Sequence, residues 1–169
     1  METTELYNRF VECLDDEIKV YRHLLDIIRK EKDILISAKT DDLVENNKAK
    51  DAMLAKLRQI DRVREKCARE LAQKVGVSID EPRLLEIATK FETRDGDRLR
   101  SIHQTLTLMV QRVKDLNQKN EALVKSALNN VQGAMEALRT ALGDSPTYRK
   151  QGELKKTEVL SGQLVSREV

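Results

Sequence analysis

The sequence has few of the residues that build sheets and turns. It contains no tryptophan, and its aromatic residues are three tyrosines and two phenylalanines. Glycine occurs six times and proline twice, whereas average usage would give about 20 of the two together in a chain of this length. A sheet protein of this size would need more turn residues and more aromatic and β-branched residues in its strands. The composition therefore excludes most β and α/β folds and predicts an all-α domain of long helices.

The charge and the cysteine content exclude further classes. Lys and Arg number 31 and Asp and Glu number 29, so the basic excess that a general polyanion-binding surface requires is missing. Two cysteines, Cys13 and Cys67, are too few for a disulfide scaffold and suit a reducing cytosol, and each is interpreted as a small buried hydrophobe. The N-terminus lacks the profile of a signal peptide, and no apolar run approaches the ~20 residues that span a bilayer. We therefore expect a cytoplasmic protein without stable membrane insertion.

Apolar residues recur in steps of three and four along three segments, residues 7–35, 53–75 and 99–141. A period near 3.5 residues is typical of helices that pack along near-parallel partners. The pattern predicts an elongated antiparallel bundle. Its predicted long helices span residues 3–38, 40–75 and 97–142, with a short helix near 81–91.

The ends of these helices are predicted from capping and breaking residues. Thr3 or Thr4 is expected to cap the first helix, and Thr40 the second, because a side-chain oxygen accepts a hydrogen bond from the first turn. Gly76 is expected to end the second helix. The sequence Asp-Gly-Asp at residues 95–97 is interpreted as a break before the last helix.

No constellation of catalytic or cofactor-binding residues is found. The glycines are never closer than nine residues apart, which excludes a glycine-rich phosphate loop. His23 and His103 have no neighbouring ligand pair at metal spacing and are interpreted as solvent-facing or partly packed side chains. Cys13 would lie ~15 Å from His23 on one helix, too far for a nucleophile–base pair. We therefore expect no enzymatic activity, no metal and no cofactor.

Two polar features have structural interpretations with functional alternatives. Residues 56–70 hold six basic and three acidic side chains, a pattern typical of a solvated, salt-bridged helix face. Nucleic-acid binding would favour interleaved aromatics or a denser basic face, so no nucleic-acid partner is expected. Asn120 and Asn130 lie on the longest apolar stripe and are interpreted as residues that fix register. The alternative is a bundle end that opens to admit a partner helix.

The last 27 residues, 143–169, are predicted to be a flexible C-terminal interaction tail that follows a helical domain of residues 1–142. The tail holds three of the six glycines and one of the two prolines. It lacks the apolar density that would let it fold alone. Its scattered apolar residues, among them Leu154, Leu160 and Leu164, are predicted to anchor a partner.

Several short motifs occur in a particular order along the chain. The second helix contains Asp42-Leu43, Lys50, Met53-Leu54 and Leu57, and the last helix contains the sequence NQKNEAL at residues 117–123. The segment from Tyr148 to Gly152 has the form Tyr-x-x-x-Gly and precedes a short tail. This order resembles the FlgN-like flagellar type III export chaperones. The family pattern usually has a small residue after that tyrosine, where this chain has Arg149.

The resemblance implies a cytoplasmic chaperone that binds hook-associated (hook–filament junction) subunits, prevents their premature assembly and delivers them to the export apparatus. It implies cargo contact through the C-terminal region, where Leu154, Leu160 and Leu164 are the candidates. It also implies docking at the export gate through Tyr148, with Gly152. A coiled-coil scaffold or adaptor without an export role is the alternative, because it explains the apolar stripes equally well. The sequence leaves the oligomeric state open.

Overall fold

The computed structural model describes residues 2–142 and shows only helices and turns over that range. The four helices are α1 (Thr3–Ser37), α2 (Thr40–Val75), α3 (Leu84–Ala88) and α4 (Thr93–Ala141). The predicted all-α fold of three long helices and one short helix is therefore confirmed. Internal contacts divide the chain into one unit, Met1–Ser126, and a second unit that begins at Ala127. The boundary predicted between a bundle domain and a tail at residue 143 stays a prediction.

Helices α1 and α2 form an antiparallel hairpin. Ala38 adopts the left-handed conformation at the end of α1, with a φ of 54°. Gly76 does the same at the end of α2, with a φ of 72°, and so ends that helix as predicted. Contacts near both ends of the hairpin show its direction, because Arg9 lies 3.6 Å from Glu70 and a Glu31 carboxylate oxygen lies 2.9 Å from Lys50 Nζ.

Within the first unit, α4 runs parallel to α1 and antiparallel to α2. The hydroxyl of Tyr7 donates a hydrogen bond to the main-chain oxygen of Asp95 at 3.2 Å. Further along both helices, the side-chain amide of Asn120 donates to the main-chain oxygen of Ile28 at 3.0 Å. Consecutive long helices therefore alternate in direction, as predicted for the bundle.

The core of the first unit is built from apolar side chains of all four helices. Burial of each large side chain contributes about 1.5–3 kcal/mol, so these residues dominate the stability of the unit. The largest fully buried side chains of this core include Phe10, Leu14, Leu71, Ile87 and Leu99. The stripe predicted on α1 is largely confirmed, since its members Tyr7, Val11, Leu14, Ile18, Leu25 and Ile28 are all buried. Cys67 is buried, as interpreted from the sequence, whereas Cys13 is only half-buried.

The predicted break at residues 95–97 is wrong. Helix α4 already begins at Thr93, and the Gly96 amide donates to the Glu92 carbonyl oxygen at 3.0 Å. Gly96 instead permits a close approach, because a Cβ at this position would lie 2.7 Å from the main-chain oxygen of Ala88. The side chain of Asp95 lies in the first turn, where a carboxylate interacts favourably with the helix dipole.

The predicted threonine caps are also wrong. The N-cap positions of α1 and α2 are occupied by Glu2 and Lys39. The Glu2 amide donates to the Glu5 carboxylate at 3.2 Å, so a glutamate in the first turn satisfies a donor at the helix start. Thr40 is the first residue of α2 rather than its cap.

Candidate partner-binding surface on helix α4

The predicted site residues all lie outside the described residues. This holds for the predicted cargo-binding residues Leu154, Leu160 and Leu164, and for the predicted docking residues Tyr148 and Gly152. Their roles stay predictions. The described chain offers a different surface, on the second unit.

The last part of α4 carries a row of exposed large apolar side chains. We call this row the α4 stripe, and its members are Leu128, Val131, Met135, Leu138 and Leu142. Their steps of three and four residues place them on one face of the helix. Between 48% and 72% of each residue's surface is accessible. A row of large apolar side chains exposed on one helix face is a candidate site of interaction with another protein.

The sequence pattern predicts that a row of small residues continues the buried seam along this part of α4, and this prediction is wrong. The members of this row, Ala127, Asn130, Ala134, Ala137 and Ala141, were expected to continue the bundle seam, but all of them are exposed. Because alanine side chains bury little area, they provide little free energy for packing. At 100° per residue, the α4 stripe lies about a quarter of a turn away from this row of small residues.

The surroundings of the α4 stripe carry little charge. Glu136 and Arg139 are the charged residues between positions 127 and 142. Together with Gln132 they line a shallow hollow next to Val131 and Met135. An apolar row with few charged neighbours suits packing against an amphipathic helix, which docks through residues at matching three- and four-residue steps.

Asn120 belongs to a buried polar cluster in the first unit, where α4 meets the hairpin. Its side-chain amide donates to the main-chain oxygen of Ile28 and, at 2.9 Å, to the carboxylate of Glu31. Lys50 donates to the same carboxylate at 2.9 Å. Asn120 is therefore buried at the seam, as its structural interpretation requires. Its hydrogen bonds to α1 would be lost in another register, and its role in fixing the register stays a prediction. Asn130 is exposed and has no such role.

A second buried polar group lies on the same hairpin. Glu17 is only 8% exposed, and one of its carboxylate oxygens lies 3.3 Å from Arg64 Nε. Arg64 also donates to Asp61. Burial raises the pKa of Glu17, against the opposing effect of the Arg64 charge. Sequence reasoning missed this pair, because it interpreted the basic residues of 56–70 as a solvated face.

The rest of that basic segment agrees with the salt-bridged interpretation. Arg69 lies 3.5 Å from Glu65, and Lys66 lies 3.9 Å from Glu70, one helical turn away in each case. Such exposed pairs contribute little to stability, about 0.3–0.5 kcal/mol each. The histidines also match their interpretation, since His23 is exposed and His103 half-buried.

From residue 2 to residue 142, no three His, Cys, Asp or Glu side chains converge to hold a metal ion. Over the same range, no helix combines the length and the apolar composition that crossing a membrane requires.

The described part of the chain is thus a helical-bundle protein with a row of exposed apolar side chains at the end of its last helix. Comparison with protein families identifies it further, because the family model described as FlgN protein matches residues 1–156. The chain therefore belongs to the FlgN family of flagellar export chaperones, as the motif order predicted. No curated protein and no solved structure matches it.

Proposed function

We propose that this protein is a cytoplasmic chaperone for hook-associated flagellar subunits, that it prevents their premature assembly, and that it delivers them to the export apparatus. Membership of the FlgN family supports the general role. The observation that carries the proposal is the α4 stripe, which leaves five large apolar side chains exposed on one helix face.

A chaperone of this kind needs an apolar surface more than it needs a catalytic group. Subunits that assemble through their own helices must be kept from one another, and a helix face that replaces the assembly partner achieves this. Completing the burial of each stripe residue contributes about 1 kcal/mol. Association itself costs several kcal/mol, so the stripe alone supports a modest affinity. A modest affinity suits a chaperone that must release its cargo.

The tail supplies the remaining contacts in this proposal. Leu154, Leu160 and Leu164 are its anchors for the cargo, and Leu160 and Leu164 would share one face if this segment became helical on binding. Tyr148, with Gly152, is the separate docking point for the export apparatus.

Co-purification with purified hook-associated subunits tests the proposal. The full chain is compared with a chain truncated after Leu142, and a melting curve is recorded for each. Capture by the full chain and weaker capture by an equally folded truncated chain are expected. Equal capture by both would move the cargo contact entirely to residues 1–142. No capture by the full chain would contradict the proposal and favour a scaffold or adaptor without an export role.

A further inference from the structure

The only two cysteines of the sequence face each other across the α1–α2 hairpin. The Sγ atoms of Cys13 and Cys67 lie 3.8 Å apart. Polar contacts between the same two helices flank the pair, with Arg9 and Glu70 on one side and Glu17 and Arg64 on the other. The two thiols are therefore held in van der Waals contact by a packed and paired segment of both helices.

This geometry is close to that of a disulfide. A disulfide bond is about 2.05 Å long, so the two sulfur atoms must approach by about 1.8 Å. Rotation of two short side chains and a small shift of one helix share that movement. Because the residues lie on facing helices and their sulfur atoms already touch, we expect closure without a change of register.

The two thiols differ in how well a reagent can reach them. Cys13 is half-buried, whereas only 1% of Cys67 is exposed. Burial and the contact with Cys67 raise the pKa of Cys13 to about 11, so the thiol form dominates at neutral pH and reaction is slow. A reagent that enters from solvent reaches Cys13 first.

We propose that Cys13 and Cys67 are a reversible dithiol site, which a low-molecular-weight disulfide converts to an intramolecular disulfide between α1 and α2. In the first exchange, Cys13 loses its proton and its sulfur attacks the small disulfide, which forms a mixed disulfide and releases one small thiol. In the second, Cys67 loses its proton and attacks the Cys13 sulfur, which releases the second small thiol. The two cysteines are oxidised and the small disulfide is reduced.

The disulfide would link α1 to α2 through two residues that are 54 positions apart in the sequence. Such a link lowers the conformational entropy of the unfolded chain far more than that of the folded chain. The resulting stabilisation is larger when the closed loop is longer. We therefore expect the oxidised protein to melt at a higher temperature than the reduced protein. Both thiols lie in the first unit, whereas the α4 stripe lies in the second, so the test of this site does not require the proposed cargo.

Intact mass spectrometry of the full chain tests the proposal. Reduced protein is incubated with oxidised glutathione at mildly alkaline pH, and free thiols are then blocked with a maleimide. The wild-type chain is expected to lose two hydrogen atoms, bind no maleimide and retain no glutathione. Cys67→Ser is expected to retain one glutathione on Cys13, and Cys13→Ser to react far more slowly. A wild-type chain that stays reduced, stops at the mixed disulfide or forms linked dimers would overturn the proposal.

A second measurement separates native geometry from ordinary cysteine oxidation. The ratio of disulfide to dithiol is measured in one glutathione buffer, for the folded chain and for the chain unfolded in urea. Contact between the thiols in the fold predicts a ratio at least about tenfold higher in the folded chain, because the effective concentration of one thiol at the other is higher there. Equal ratios, or a lower ratio in the folded chain, would overturn the proposal.

Discussion

Asn120 of α4 donates a hydrogen bond to the carboxylate of Glu31 on α1 at 2.9 Å, in a buried position. Lys50 of α2 donates to the same carboxylate, so one acidic side chain joins all three long helices. Two heptads away along both α1 and α2, Glu17 and Arg64 form the equivalent contact. A shift of either helix against the other would break both pairs, and we infer that these polar groups select one register.

Asn120→Ala is predicted to destabilise the first unit by about 1–3 kcal/mol, because it leaves the buried Ile28 carbonyl without this donor and removes a partner of Glu31. Chemical denaturation measures the effect. The matched control is Asn130→Ala, an exposed site on the same helix, which should change the unfolding free energy by less than about 0.5 kcal/mol. Equal effects of the two substitutions would contradict the register role.

Leu106→Asp is predicted to unfold the bundle or to lower its melting temperature strongly. Leu106 is half-buried and packs against the core, so a carboxylate there loses these apolar contacts and is partly removed from water without a partner. Leu108→Asp is the control, since Leu108 is two residues away and 55% exposed. It should leave the melting temperature almost unchanged. A stable Leu106→Asp protein would show that this face of α4 is not packed.

Opposite effects are predicted for alanine at two glycines of α4. Alanine favours helix over glycine by about 1 kcal/mol, and at Gly133 nothing lies within 4 Å of an added Cβ. Gly133→Ala should therefore increase helix content or amide protection in this part of α4. Gly96→Ala should lower the melting temperature, because the new Cβ would meet the Ala88 carbonyl oxygen at 2.7 Å. Stabilisation by both substitutions would contradict the close approach of α3 to α4.

The stability of the protein is predicted to respond to the protonation of Glu17. Burial raises the pKa of Glu17 in the fold above its ordinary value of 4.5, so the folded state holds this proton more tightly than the unfolded state. The stabilisation from this proton is fully present below the ordinary pKa and is lost as the pH rises through the raised pKa.

Glu17→Gln should remove this loss of stability at higher pH, because glutamine does not titrate. Relative to wild type, it should be neutral or stabilising at pH 7, because glutamine resembles the protonated carboxyl group and Arg64 keeps Asp61 as its partner. The difference in unfolding free energy between the two proteins should change across the range above pH 4.5. Urea denaturation of both proteins over this range measures it. Parallel pH profiles for wild type and Glu17→Gln would contradict the burial argument.

The sequence predicts the helices well because burial along them follows one period. The α1 stripe and the stop at Gly76 come directly from local chemistry. Gly96 was misinterpreted because its role depends on the Ala88 carbonyl oxygen, which only the fold brings close. The Glu17–Arg64 pair was missed for the same reason, since the two residues meet only once the antiparallel register is known.

The candidate site could be predicted only in part. Two periodic rows run along the end of α4, one of small residues and one of large apolar residues, and periodicity alone cannot decide which of them is packed. The row of small residues continues the buried stripe without a break, so the sequence pattern predicts that this row is the packed one. The structure exposes both rows and thereby identifies Leu128, Val131 and Met135 as part of a free apolar surface.

The most direct test of the account is the affinity of a purified hook-associated subunit for two matched double variants of the full chain. Leu128→Lys with Met135→Lys places two charges on the α4 stripe, and Asn129→Lys with Thr140→Lys places two on the exposed face opposite to it. The stripe variant is expected to bind at least about tenfold more weakly, a loss of ~1.4 kcal/mol, with an unchanged melting curve. The control variant is expected to bind like wild type. Equal affinities of the two variants would contradict the assignment of the α4 stripe as the cargo surface.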